Sequence, residues 1–289
     1  MKNALFTGTC TALVTPFLDG KVNYPMLEML LKRQADAGVK AVVLCGTTGE
    51  APTLSDEEKL EIFRRGKAYV GESMCIIAGT GSNSTEHAVA LSKEAEKCGV
   101  DGLLVVSPYY NKANNDGLFA HYLSIAHAVK VPVIIYNVPG RTGVDIPVSV
   151  YKRLSRIPNI AGVKEASPNI AKVVQIITEC GPDLPVWSGN DDMAVPIMSV
   201  GGAGVISVLS NVAPAETKAM TDAALLGDYL TAGALQCRLK PLIDLLFCEV
   251  NPIPAKAAMR SIGYDCGGCR LPLTELSPEN MKKLEEYLR

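Results

Sequence analysis

Residues 160–167 read IAGVKEAS. Ile160 to Val163 is an apolar run of the kind that enters a sheet covered on both faces, as parallel strands flanked by helices do. Lys164 interrupts it with a charged amine, which a sheet interior accepts only when the group is paired or put to use. Working outward, seven more short runs share this character: TCTALVTPF (9–17), AVVLCG (41–46), MCIIAG (74–79), GLLVVS (102–107), VPVIIYN (131–137), PVWSG (185–189) and AGVISV (203–208). Their starts are typically about 25–30 residues apart, the length of one strand–helix unit.

Between them lie segments of helical period with their own end signals. Ser55 followed by Glu58 has the capping-box spacing, Pro147 opens a further helix, and Gly38 and Gly99 close two more. Eight strands in strict alternation with helices predict an α/β protein built as a closed (β/α)8 barrel. An open doubly wound sheet is the alternative, but it carries a glycine-rich phosphate loop after its first strand. The nearest approach, GTGSNS at 79–84, follows the third strand and has Ser84 where a third glycine belongs. Beyond residue 212 only helical periodicity remains, broken by NPIP (251–254) and the GGCRLP loop (267–272). The predicted division is a catalytic barrel over 1–225 and a helical region over 226–289, with no linker between them.

The composition supports a large core, with 289 residues of which 48% are hydrophobic and 20% charged. A net charge of −2 gives no strong attraction to nucleic acid or anionic membranes. No uninterrupted apolar run reaches the roughly 18 residues of a spanning helix. The start, MKNALFTGTCTALVTPF, is poor signal-peptide material, because its short apolar stretch is broken by Thr and Gly. The expectation is a soluble, cytoplasmic protein. The nine cysteines are odd in number and mostly sit in apolar runs (Cys45, Cys75, Cys98, Cys248), so they read as buried free thiols. Cys266-Gly-Gly-Cys269 lacks the second ligand pair that zinc needs and reads as structural. His121 and His127 are six apart, on different helix faces, so no metal site and no cofactor are expected.

In a barrel of this kind the loops after the strands converge at one mouth. Strand two ends in Gly46-Thr47-Thr48-Gly49-Glu50, strand four in Ser107-Pro108-Tyr109-Tyr110-Asn111, and strand five in Tyr136-Asn137-Val138-Pro139-Gly140-Arg141-Thr142-Gly143. Strand six carries Lys164 and strand eight Ile206. Taken singly, each has an ordinary reading. Lys164 can snorkel to the rim, Tyr136 can be core with a satisfied hydroxyl, and loop arginines are usually solvated. Together they answer one chemical need. A desolvated amine favours its neutral, nucleophilic form and can add to the ketone of a 2-oxo acid. The resulting imine is an electron sink that permits an enamine to attack an aldehyde, with tyrosine and threonine hydroxyls relaying the protons. Backbone amides of a Gly-Thr-Thr-Gly turn suit a carboxylate.

GTTGE, SPYYN, YNVPGRTG and GVKEAS, in that order, resemble the dihydrodipicolinate synthase (4-hydroxy-tetrahydrodipicolinate synthase) family. The resemblance runs over essentially the whole chain and includes GGAGVISV and NPIPAK. The wider superfamily, with N-acetylneuraminate lyase, shares GTTGE, the YN-P motif and the lysine, whereas Gly140-Arg141-Thr142-Gly143 is more specific to the synthase. The resemblance implies condensation of pyruvate, held as a Schiff base on Lys164, with L-aspartate 4-semialdehyde in diaminopimelate and lysine biosynthesis. It implies Tyr136 as proton donor and acceptor, Thr47 and Tyr110 as its relay, Thr48 and the Ile206 backbone as pyruvate contacts, and Arg141 as the semialdehyde carboxylate clamp. It also implies a homotetramer, a dimer of dimers, in which Tyr110 reaches into the neighbouring active site. A lyase for a sugar-derived 2-oxo acid and a silent ligand-binding barrel are the rival readings. Lysine-inhibited relatives bind the inhibitor between paired subunits. Asn83 and Tyr109 fit the pattern of that cleft, whereas Asp56, Lys59 and His87 replace its usual histidine, histidine and glutamate. Weak or absent feedback by lysine is therefore expected.

Overall fold

The structure, a computed structural model, describes residues 4–289; residues 1–3, at the start of the barrel span drawn from the sequence, lie outside it. The strands are β1 (Gly8–Ala12), β2 (Ala41–Leu44), β3 (Cys75–Gly79), β4 (Gly102–Val106), β5 (Val133–Asn137), β6 (Ile160–Glu165), β7 (Val186–Ser188) and β8 (Gly204–Ser207). All pair in parallel with their sequence neighbours, and β1 pairs with both β2 and β8, which closes the barrel. After them run α1 (Tyr24–Asp36), α2 (Asp56–Val70), α3 (Thr85–Lys97), α4 (Asn115–Ala128), α5 (Val148–Leu154), α6 (Ile170–Cys180), α7 (Ala194–Ser199) and α8 (Pro214–Leu225). Then come α9 (Tyr229–Leu246), α10 (Ile253–Ser261) and α11 (Pro278–Leu288), with α9 packed on α7 and α8.

Local signals act as expected at several ends. Ser55 and Glu58 form a reciprocal capping box on α2, and Gly38 and Gly99 stand just past α1 and α3. The first apolar run behaves differently from its sequence reading. It leaves the barrel after Ala12, and Phe17–Leu18 then pairs antiparallel with Lys21–Val22. The cause is the Asp19-Gly20 pair, whose φ values of +50° and +75° make the tight hairpin turn that such dipeptides favour.

The core has two layers. Leu30, Phe63, Tyr122, Ile135, Val163 and Val205 fill the space between strands and helices, and Cys10, Val43, Ile77, Ile134, Tyr136, Trp187 and Ile206 fill the barrel itself. Phe6, just before β1, stacks on Trp187 with ring centroids 4.8 Å apart.

One irregularity decides what faces the interior. Val133 pairs with Ile160, but Ile134 pairs with Gly162, so β6 holds one residue more than β5 across that step. Without the extra residue Ala161, Val163 and Glu165 would share a face. With it, Ala161 points into the barrel and Val163 outward, and Lys164 comes into register with the inward Tyr136. Gly162 makes the bulge possible. A Cβ there would lie 2.4 Å from the Pro185 carbonyl oxygen and 2.5 Å from the Trp187 ring, at a φ of +154°. Gly162→Ala is therefore expected to cost about 2–4 kcal/mol of stability, from overpacking and backbone strain together. Urea unfolding measures this, and an unchanged midpoint would show that the bulge tolerates a side chain.

Candidate active site

The C-terminal ends of four adjacent strands place Val106, Tyr136, Lys164 and Trp187 side by side in register. Lys164 is 5% exposed, and its Nζ lies 4.4 Å from the centroid of the Tyr136 ring. Gly189 leaves room for the lysine stem, since a Cβ there would sit 3.1 Å from Lys164 Cε. Lys164 forms no ion pair with another described residue, so its surroundings are the apolar interior and an aromatic face. Asp191 is the nearby buried acid. Burial pushes its carboxyl above the usual range, while the amides of Leu209 and Val208 and the charge of Lys164 work the other way.

Glu165, the next residue, faces outward and is fully engaged. It accepts from Asn137 Nδ2 at 2.8 Å, from the Ser167 amide at 2.8 Å and from the Tyr151 hydroxyl at 3.3 Å. Adjacent buried charges on β6 therefore have opposite tasks. Glu165 ties the end of β5 to β6 and α5, and Lys164 is left with its amine unpaired.

The GTTGE turn is held from two directions. Thr15 Oγ1 donates to the Gly49 carbonyl at 2.7 Å. The buried Glu50 accepts from Lys256 Nζ at 3.0 Å and from the Arg270 amide at 2.8 Å, and Lys256 Nζ also lies 4.3 Å from the Phe17 ring centroid. Thr48 is buried and its Oγ1 accepts from Asn251 Nδ2. Arg141, on the helical turn Pro139–Thr142, donates from Nη2 to the Asn251 carbonyl at 3.1 Å.

A cavity of about 520 Å³ is lined by Val106 and Tyr136 from the strand ends. Thr47, Tyr136, Val138, Arg141 and Thr142 line one part of it, and Asp56, Lys59, Ser82, His87 and Tyr109 another. Thr47, Tyr136 and Arg141 of the residues singled out for the reaction thus share one space with Asp56, Lys59, His87 and Tyr109 of those singled out for a regulatory cleft. Lys164, Thr48, Ile206 and Asn83 lie outside its lining, and so does Tyr110, a residue 88% exposed on a backbone at φ +74°.

In the outer part the charges are already matched. Asp56 accepts from Lys59 Nζ at 3.2 Å and from His87 Nε2 at 2.7 Å, and His87 Nδ1 meets Ser82 Oγ at 3.2 Å. Burial raises the Asp56 carboxyl, but its bonds to His87 and Lys59 prevail and hold it below the usual carboxylate value.

Residues 5–289 match the Dihydrodipicolinate synthetase family. The chain belongs to that family. A 4-hydroxy-tetrahydrodipicolinate synthase of Acetivibrio thermocellus is 45% identical over 289 residues, covering 100% of this chain and 98% of the relative. The structure of a dihydrodipicolinate synthase from Aquifex aeolicus superposes with a TM-score of 0.96 at 43% identity, covering 98% of this chain and 97% of that one. A dihydrodipicolinate synthase from Cyanidioschyzon merolae, solved with lysine bound, has a TM-score of 0.96 at 40% identity, with 99% and 98% covered.

Within this dihydrodipicolinate synthetase family chain, several polar residues at the site escaped the sequence reading. Asn251 was legible only as part of a helix-breaking NPIP, and Lys256 and Glu50 gave no sign of pairing across 206 residues. Cys266 and Cys269 carry free thiols that burial pushes up to about 12, so both stay protonated and inert near neutral pH. His121 bonds Thr85 through Nδ1, and burial lowers its pKa to about 4, as befits a core side chain. Among the described residues no group of three or more His, Cys, Asp or Glu side chains is gathered as a metal site would need, and no helix is long and apolar enough to cross a membrane.

Proposed function

We propose that Lys164 condenses with the ketone of pyruvate and that the resulting enamine adds to L-aspartate 4-semialdehyde, the 4-hydroxy-tetrahydrodipicolinate synthase reaction of the relatives. The observation that carries this assignment is the inward register of Lys164 beside Tyr136 at the barrel mouth. The amine attacks the keto carbon and water leaves. Loss of a methyl proton gives the enamine, whose carbon adds to the aldehyde. Tyr136, with its ring against Lys164 and its side chain lining the cavity, holds or delivers the proton at each stage, and Thr47 from the GTTGE turn lies within the same lining. Thr48 and the backbone at Ile206 hold pyruvate, and Arg141 holds the semialdehyde carboxylate.

In this reading the barrel of 1–225 supplies the reacting groups and the helices of 226–289 brace them through Asn251 and Lys256. The exposed Tyr110 ring supports a role in a neighbouring subunit of a homotetramer, and the setting is the cytoplasm. A sugar-acid lyase would share the lysine and tyrosine, but an arginine in the cavity lining favours a carboxylated aldehyde. The test offers pyruvate with either L-aspartate 4-semialdehyde or N-acetylmannosamine and follows product. Turnover of the sugar alone would overturn the reading.

The outer cavity yields a separate prediction about regulation. A free L-lysine ammonium would need a carboxylate there, and Asp56 already neutralises Lys59 and bonds His87. Lys59 adds a like charge that opposes a second ammonium. L-Lysine titrated into the steady-state assay is expected to inhibit weakly or not at all, and strong inhibition below millimolar concentration would contradict this.

A further inference from the structure

Asn251 lies between α9 and α10 and is 5% exposed. It reaches two substrate-facing loops at once. Its Nδ2 donates to Thr48 Oγ1 at 3.0 Å, its main-chain carbonyl accepts from Arg141 Nη2 at 3.1 Å, and its Oδ1 has no hydrogen-bond partner. Five residues on, Lys256 pins the same segment to the GTTGE turn by bonding Glu50 Oε1 at 3.0 Å and the Thr15 carbonyl at 3.1 Å.

The polarity of the bond to Thr48 matters. A hydroxyl has one proton and two lone pairs. An amide N–H aimed at Thr48 Oγ1 occupies a lone pair and leaves the hydroxyl proton for another acceptor. A group that holds a carboxylate must donate, because its lone pairs would otherwise face negatively charged oxygens. A freely turning hydroxyl would spend part of its time reversed, and an acceptor in place of the N–H would fix it reversed.

We propose that Asn251 is a positioning residue that commits the Thr48 hydroxyl to donate to the carboxylate of the 2-oxo acid and holds Arg141 over the same site. The inference rests on the reading of Thr48 as a pyruvate contact. It assigns the helical region after the barrel a share in substrate recognition that neither Thr48 nor Arg141 reveals alone.

Two substitutions separate hydrogen-bond polarity from bulk. Asn251→Asp keeps the shape and the main-chain carbonyl but replaces the donor with an acceptor, and Asn251→Leu removes polarity at similar volume. The measurement is the pyruvate dependence of borohydride trapping without semialdehyde, so that the Arg141 arm takes no part. The half-saturating pyruvate concentration is expected to rise roughly 10- to 100-fold for Asn251→Asp, the worth of a hydrogen bond to a charged group. Asn251→Leu should rise less, and both should trap at near wild-type rate when saturated. In a Thr48→Val background neither substitution should add anything. An Asp variant with wild-type pyruvate dependence overturns the proposal. So does an effect that persists with Thr48→Val, which would be the repulsion of a new charge, or a lowered saturated rate without the Asp-over-Leu order. If the Asp variant fails to fold, unchanged pyruvate dependence in the Leu variant overturns it instead. Thr48→Val with wild-type pyruvate dependence would remove the role of Thr48 and the proposal with it, whereas an effect of Thr48→Val without one of Asn251→Asp sinks the proposal alone.

Discussion

Lys164→Arg is expected to lose the pyruvate adduct that borohydride traps in the wild-type chain, and turnover is expected to fall by about 10³-fold or more. The charge and much of the length are kept, so the loss would report chemistry. A guanidinium stays protonated and has no free lone pair for a ketone carbon. Lys164 itself forms no ion pair with another described residue, and Glu165 on the outward face is engaged by Asn137, Ser167 and Tyr151. Mass spectrometry of the reduced peptide fixes the site. An adduct on Lys172 or Lys256 would refute the assignment. Both of those amines are already engaged by carboxylates, Lys172 by Asp145 and Lys256 by Glu50.

Tyr136→Phe is the second large effect. Removing one hydroxyl that relays protons at a reacting centre lowers kcat by roughly 10²- to 10⁴-fold. The ring against Lys164 Nζ remains, so packing and the aromatic contact with the cation survive, and the loss would fall on proton transfer. Arg141→Ala on the same loop is the contrast. It should raise the KM for the semialdehyde and leave imine trapping with pyruvate intact. A Tyr136→Phe chain with wild-type kcat, or an Arg141→Ala chain whose only defect is in pyruvate, would redraw the roles.

Much of this protein is legible in one dimension. Eight short buried runs at strand–helix intervals require a parallel sheet covered on both faces, and the lack of a glycine-rich phosphate loop after the first run favours the closed barrel over the open doubly wound sheet. The motifs at the strand ends then fall at one mouth without further information. Helix ends such as Ser55 with Glu58 are local and were readable as such. The first run was less transparent. Its strand ends at Ala12 and its Phe17 belongs to a hairpin, because a continuous apolar stretch hides where one strand stops and the Asp19-Gly20 turn takes over.

What the amino-acid order determined by itself was therefore the barrel, the rim and the kinds of group on it. The tertiary structure decided which face each group serves. Ile160–Glu165 is buried throughout, so it has no polar alternation to show which side of the strand is the inside. Only its pairing with β5, through the bulge that Gly162 permits, turns Lys164 inward and Glu165 outward. The same holds for Thr48, whose hydroxyl oxygen accepts from an asparagine 203 residues away, and for Asp56, which is hydrogen-bonded by His87 from the next helix. Strand register and long-range hydrogen bonds depend on which segments close together in space, and a single strand with period 2 changes its inward set with one added residue.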